Sequence, residues 1–367
     1  NSLPVPVSRR NDKDEFPLLD SNGQLYKINS FEFYRYEDII KKEDDAGYDK
    51  TAFEKMLEIK GDSDHTKLID MLTDLNDYSI GIEDVLKEHF DEENIVYWMA
   101  FQILMGNVDT QNRNVYLYSP LNSDIWYFIA WDNDGCLMRS EYELKNFSDQ
   151  GSWEKGISNY WGNVLFQRCL KSRSFREKLN DAILELREYL NKDMLISKIE
   201  SYKNVLKPYL YSMPDAEYEP LTSEQYDQIV ASLPDEIEKN YKLYLESLET
   251  PMPFYIGIPT INGNKLKFNW DVSYDLDAED ITYSVEVARD YLFQDVIYHN
   301  TTLTVPETEM DLPEAGQYFV RIRATNTSGK TQDAFDYYVT DEGKHYGMKC
   351  FYITEDSTVE EDNYEEG

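Results

Sequence analysis

Asp109, Asn114, Asp132 and Asp134 are the side chains whose types and spacing could do chemistry in this sequence. They fall within one short stretch: the loop Asp109-Thr110-Gln111-Asn112-Arg113-Asn114, two apolar runs that predict strands at Val115–Tyr118 and Ile125–Trp131, and then Asp132-Asn133-Asp134. A carboxylate such as Asp109 can orient a hydroxyl and take its proton. The amide oxygen of Asn114 and a carboxylate at the end of the returning strand are hard oxygen donors of the kind that hold Mg²⁺. A base beside such ligands suits phosphoryl transfer, which needs alignment and charge neutralisation more than covalent help. On this reading Asp109 is the base, Asn114 and Asp132 hold a metal and its nucleotide, and Asp134 is a second ligand or an outer partner.

Each piece alone has an ordinary reading. Asp109–Asn114 also suits a polar loop after a helix. Asp132-Asn133-Asp134-Gly135 also suits a turn with Asx hydrogen bonds or a weak Ca²⁺ loop, although the Gly and Glu positions of an EF-hand are not met. The order of the parts selects between these: buried helix, Asp loop, strand, strand, Asp is the order in which protein kinases present a base and two metal ligands.

The elements that must position these residues follow from periodicity. Ile95–Met105 is apolar nearly all round, which predicts a central buried helix, and Gly106-Asn107 supplies its stop signal. Upstream, Leu68, Ile69, Leu72 and Leu75, then Ile82, Val85 and Leu86, recur at helical spacing. A strand is expected at Gln24–Ile28, after a Pro-rich start, and a charged stretch ends at Leu57-Glu58-Ile59-Lys60. A polar stretch runs to about Trp153. Beyond it the pattern predicts a helical region over 164–190, helices at Met194–Leu206 and Ser223–Ser247, and a long connection over 207–222. After Thr250-Pro251-Met252-Pro253 alternation replaces helical spacing, in Lys265–Trp270, Thr282–Ala288 and Gln317–Ala324, the pattern of a β-sandwich. Residues 354–367 hold seven acids, the composition of a disordered tail.

Composition narrows the partners. With 36 basic and 71 acidic residues the net charge is −35, so nucleic acid and anionic lipid are repelled. No apolar run reaches the length of a membrane span, so no integral membrane segment is expected. Cys136, Cys169 and Cys350 form no CxxC pair, which argues against a zinc knuckle or a disulfide framework. His65, His89, His299 and His345 are scattered, so neither a His-based metal site nor a triad is expected. The many Tyr and Trp follow core spacing, not that of a sugar-binding platform.

The segment Gly106-Asn107-Val108-Asp109, Asn114-Val115-Tyr116-Leu117-Tyr118 and Trp126-Tyr127-Phe128-Ile129-Ala130-Trp131-Asp132-Asn133-Asp134 resembles the CotH family, the spore coat protein H kinases. Leu25-Tyr26-Lys27 and the helix carrying Trp161, Leu165, Arg168, Phe175 and Arg176 share the likeness, which covers roughly residues 20–240. The resemblance implies an atypical protein kinase using ATP and Mg²⁺, with Mn²⁺ as a substitute, on Ser or Thr of spore coat or surface proteins. It implies Asp109 as catalytic Asp, with Asn114 and Asp132 as metal ligands. Ala130 replaces the family's frequent Pro. No Gly-rich loop is found, and the resemblance implies a chain that starts inside the family's domain; Lys27 lies on an expected strand and reads as an exposed strand Lys, with phosphate binding as its alternative. A spore-coat or cell-surface location follows from the same likeness.

Phe268-Asn269-Trp270, Tyr283–Ala288 and Gly316–Ala324, with the hairpin Asn326-Thr327-Ser328-Gly329-Lys330, resemble a fibronectin type III module. Asp271, Asp275, Asp277 and Asp280 are turn residues with a Ca²⁺ alternative. The expected architecture is therefore α+β: a kinase-like domain with a largely helical C-lobe over 1–249, an immunoglobulin-like or fibronectin type III sandwich over 250–353, and a tail over 354–367. The competing function is a catalytically inactive surface scaffold or binding protein on the same fold.

Overall fold

The computed structural model describes residues 22–145 and 150–361. The Pro-rich start, part of the polar stretch before Trp153 and residues 362–367 lie outside them. The chain divides into two compact units, Asn1–Glu141 with Tyr160–Lys242, and Tyr142–Asn159 with Leu243–Gly367. Helices and sheet are mixed in the first, and the second is built mainly from strands.

In the first unit the order is β1 (Gly23–Ile28), α1 (Lys50–Met56), β2 (Leu57–Ile59), α2 (Thr66–Asn76), α3 (Ile82–His89), α4 (Glu92–Met105), β3 (Val115–Pro120), β4 (Tyr127–Ala130), α5 (Arg139–Lys145), α6 (Val164–Lys171), α7 (Arg173–Tyr189), α8 (Lys192–Leu210) and α9 (Ser223–Glu249). α5 and α9 each cross the division between the units. The strands form one antiparallel sheet in the order β2-β1-β3-β4. Its alternation puts Tyr26, Ile28, Val115, Leu117 and Phe128 into the core.

α4 is the axis of this unit. Asp91 caps its first turn by accepting from Asn94 N–H, and Glu92 and Glu93 complement its positive end. Trp98 stacks on Phe166 of α6 at 5.5 Å and packs on Phe128 of β4 at 5.1 Å. Buried residues surround the helix, Gln102 among them, as its all-round apolarity predicts. Arg168, on the helix flagged in the sequence, is buried and donates to the carbonyls of Leu75, Asp77 and Ile80, so it closes the α2–α3 turn.

Several boundaries depart from the sequence expectation. The helical region 164–190 is two helices, because Ser172 takes an extended conformation and caps α7 through Phe175 N–H. α8 runs through Pro208 to Leu210, which shortens the connection expected over 207–222. The charged stretch ending at Lys60 contains α1 and β2. The returning strand is shorter than Ile125–Trp131, and Trp126 instead bridges Phe90 in parallel.

In the second unit the strands are β5 (Thr260–Asn262), β6 (Lys265–Asn269), β7 (Ile281–Ala288), β8 (Val296–Leu303), β9 (Glu307–Asp311), β10 (Gly316–Asn326), β11 (Thr331–Asp333), β12 (Tyr337–Thr340), β13 (Gly343–Tyr346), β14 (Met348–Ile353) and β15 (Val359–Glu361). One sheet is β5-β6-β9 and the other β15-β14-β10-β7-β8. Leu266 and Phe268 from the first face Val285, Val287, Val320, Ile322 and Phe351 from the second in one core. β11 and β14 pair with successive parts of β10, so the last strand is split by the β12–β13 hairpin. Residues 354–361 correct the expectation of a disordered tail: they close a hairpin in which β15 pairs with Phe351–Ile353. No helix among the described residues is long and apolar enough to cross a membrane.

Candidate functional site

The site grows from the end of α4. Gly106 adopts the left-handed conformation (φ 64°) and returns its N–H to the carbonyls of Gln102 and Ile103, a helix stop that residues with a β-carbon rarely adopt. Asn107 then opens a short 3-10 turn, Val108–Thr110, its side chain accepting from Asp109 N–H at 3.4 Å. Thr110, buried, donates to or accepts from Tyr160 Oη at 3.2 Å, which anchors the far side of the loop.

Asp109 is partly exposed, and both its oxygens are engaged. Oδ1 accepts from Arg113 Nε at 2.6 Å and forms an ion pair with the same guanidinium, while Oδ2 accepts from Asn114 Nδ2 at 2.6 Å. That bond has a consequence for Asn114. With its nitrogen committed to Asp109, the amide keeps its oxygen as the remaining acceptor. Asn114 sits at φ 58°, a left-handed position that Asn tolerates better than most residues.

β3 and β4 then return the chain, with Val115 opposite Ala130. Trp131 is 46% exposed and meets Tyr116 edge-on at 5.1 Å. Asp132 follows at φ 54° and ψ 63°, and its side chain makes no capping bond to the turn Asn133–Gly135. Asp132 and Asp134 are both exposed. On β1, half-buried Lys27 stands opposite Glu58 and Tyr116, on the same face of the sheet as both.

The two acidic segments are tied together by amides that the sequence reading did not single out. Asn133 Oδ1 accepts from Gln102 Nε2 at 3.2 Å and from Asn107 Nδ2 at 3.4 Å. Asn107 Nδ2 also donates to Gln102 Oε1 at 3.1 Å. Gly135 lies so close that a β-carbon there would come within 2.9 Å of Asn107 Oδ1 and 3.9 Å of Asp109 Cβ. Leu137 N–H donates to Met105 O at 2.8 Å, pinning the turn's exit to the same helix end. Gln102 carried a signal in the sequence, as the one amide in the otherwise apolar run Ile95–Met105. Cys136 closes the turn, and burial pushes its thiol up to about 12 despite a hydrogen bond with Asn107.

Among the described residues no three His, Cys, Asp or Glu side chains converge as a metal cage. The donor set at hand is of another kind: one amide oxygen and one or two carboxylates. That set fits Mg²⁺, which is held by one or two carboxylates together with nucleotide phosphates. The scattered histidines are structural where they are buried. His65 lies between Tyr26 Oη and Tyr48 Oη at 2.7 and 3.3 Å, and His89 Nε2 bonds Asp74 at 2.8 Å.

The family model for CotH kinase proteins matches residues 8–244. The chain belongs to the CotH kinase family. The match contains every residue of the junction and stops before β5, so it does not extend to the sandwich. No curated protein matches the chain. Among solved structures, the surface layer protein SbsC, domains 1–6, is similar at 12% identity and a TM-score of 0.15, over 90% of this chain and 41% of that one. This chain thus spans less than half the length of that protein, and a likeness so weak carries no argument about fold or role.

Proposed function

We propose that this member of the CotH family is an atypical protein kinase that transfers the γ-phosphate of ATP to Ser or Thr hydroxyls of spore coat or surface proteins. What carries the reading is the junction at the end of α4, where Asp109, Asn114 and the Asp132–Asp134 turn hang from one hydrogen-bonded frame. Asp109 orients the acceptor hydroxyl and receives its proton as the oxygen bonds to phosphorus and the bond to ADP breaks. Asn114 through Oδ1, Asp132 and Asp134 are the residues that would hold Mg²⁺ or Mn²⁺. The metal, when bound, supplies neutralisation of the phosphate charge. Asn114 has a second duty, since its Nδ2 fixes Asp109 in place.

In this reading residues 1–249 are a kinase-like domain with a largely helical C-lobe, and 250–353 are a fibronectin type III-like spacer. The strand sets β5-β6-β9 and β14-β10-β7-β8 support the latter, as does Tyr318 Oη donating to Glu314 O at 2.8 Å, the tyrosine corner of such sandwiches. The test is Mg²⁺-dependent ATP binding and autophosphorylation by wild type and Asp132→Ala. Saturable binding and transfer by wild type alone is the expected result, and absence of nucleotide binding with both Mg²⁺ and Mn²⁺ sinks it. One observation favours the scaffold alternative: Arg113 occupies Asp109 Oδ1, so an acceptor must displace it.

A further inference from the structure

Two side chains of α9, about a hundred residues beyond the motif, hold the junction from behind. Asn240 is buried, and both ends of its amide are committed: Nδ2 donates to Leu104 O at 2.9 Å and Oδ1 accepts from Arg139 Nε at 2.6 Å. This orientation follows from chemistry, because a carbonyl only accepts and a guanidinium only donates. The same amide lies against Gly106, where a β-carbon would come within 2.6 Å of Nδ2. One helical turn earlier, Glu236 is fully buried and accepts from Ser140 N–H at 2.6 Å through Oε1. Its Oε2 has no hydrogen-bond partner among the described residues, a costly arrangement to retain. Leu104 and Gly106 precede Asp109, whereas Arg139 and Ser140 follow the Asp132–Asp134 turn. One face of α9 therefore grips the chain on both sides of the site. The family match runs to residue 244 and so takes in both side chains.

We infer that Asn240 is a positioning residue: it fixes the spacing between the Asp109 loop and the Asp132–Asp134 turn by holding the end of α4 and the exit of the turn on one amide. Its kinetic consequence rests on the kinase reading; the geometric part does not. Asn240→Asp keeps the shape and the acceptor for Arg139 but sets an oxygen against Leu104 O in place of the donor. Arg139→Met removes the other limb and serves if the first variant does not fold.

Two measurements test the inference. Hydrogen exchange should quicken together over residues 106–114 and 132–138 in each variant; quickening confined to α9, or none, overturns it. In phosphotransfer, kcat with Mg²⁺ should fall about 10- to 100-fold, the range for residues that orient metal ligands. With Mn²⁺ the loss should be smaller, because Mg²⁺ is the ion that demands near-ideal octahedral geometry. Equal losses with both ions that track the folded fraction, or wild-type kcat throughout, also overturn the inference. If wild type transfers no phosphate while both segments loosen together, the positioning role stands and the kinase reading falls.

Discussion

Two turns in this molecule read alike in sequence and differ in how their carboxylates are used. Asp132-Asn133-Asp134 in the first unit and Asp275-Leu276-Asp277 in the second are both acidic turns with a metal-loop alternative. In the second, Asp275 is only 9% exposed and fully occupied: Oδ1 accepts from Asp277 N–H and Glu279 N–H, and Oδ2 from Asn326 Nδ2 at 3.0 Å. Glu279 in turn accepts from Thr327 Oγ1 and from Ser328 N–H and Oγ. These acids are internal struts that lace the turn to the β10–β11 loop. In the first, amides do the lacing and Asp132 is left at the surface in a left-handed conformation. A carboxylate whose hydrogen bonds serve its own fold has little left for a ligand.

The comparison breaks most directly on Asp132 and Asp275. Asp132→Ala should cut phosphotransfer by at least ~10²-fold, since even outer partners of metal ligands cost up to that much. Its melting temperature should hardly move, as an exposed side chain with no capping bond contributes little stability. Asp275→Ala should do the reverse. Three hydrogen bonds to a buried carboxylate are lost and the Asn326 amide is left short, a destabilisation of about 3 kcal/mol. Differential scanning calorimetry beside a kinase assay reads both, and an inactive but fully stable Asp275→Ala protein contradicts the assignment.

The amide lacing gives the next effect. Asn107→Ala leaves Gln102 Oε1 and Asn133 Oδ1 without their shared donor, both next to the α4 end. The expected loss is about 1–3 kcal/mol in stability, with activity down about 10-fold or more as the two acidic segments lose register. Urea unfolding and initial-rate measurements check it. Wild-type activity in Asn107→Ala would show that Leu137 N–H and the strands alone suffice to hold the turn.

The sequence made the acidic half of the junction legible and left its frame hidden, for a physical reason. Asp109, Asn114 and Asp132 are fixed in order by two short strands, and strand alternation and a Gly stop are local signals. Asn107, Gln102 and Asn133 meet one another, and Asn240 meets Leu104 and Arg139, through tertiary packing of residues up to about 140 positions apart, and an amide in a sequence gives no sign of its partner. The split at Ser172 was hidden because apolar spacing continues across it while the backbone does not. The hairpin at 354–361 was missed because its acids sit in the turn (Glu355, Asp356) and on an edge strand (Glu360, Glu361), where charge is tolerated, and composition alone mimics a disordered tail.

The two laced turns should also part company in acid. Hydrogen bonds from Ser328 and Thr327 hold the Glu279 carboxyl below its ordinary range, so its stabilisation is present above about pH 4.5 and lost as pH falls through the depressed value. Amides do not titrate, so the first turn has no such loss. The unit around it has a different weak point: burial lowers the pKa of His65, which the fold keeps neutral between two tyrosines. Unfolding then takes up a proton below about pH 6.5, so stability of the first unit should begin to fall there, before that of the second. Hydrogen exchange followed from pH 7.5 to 4 should show the first unit loosening before the second; simultaneous loosening, or a first unit indifferent to pH 5.5, argues against the His65 assignment.

Cys136 gives the smallest and most discriminating effect, because it lies one residue past the turn and touches Asn107. A thiol held near 12 by burial is protonated at physiological pH and is neither a nucleophile nor a ready metal ligand. Cys136→Ser should therefore leave phosphotransfer within about twofold, a side chain of similar size keeping an acceptor for Asn107. Alkylation of the folded protein at pH 8 should be slow at Cys136 and fast after unfolding, when the thiol returns to its ordinary range. Rapid alkylation of native protein that abolishes ATP binding would place a thiolate in the site, and the division of labour between amide frame and surface carboxylates would have to be redrawn around sulfur.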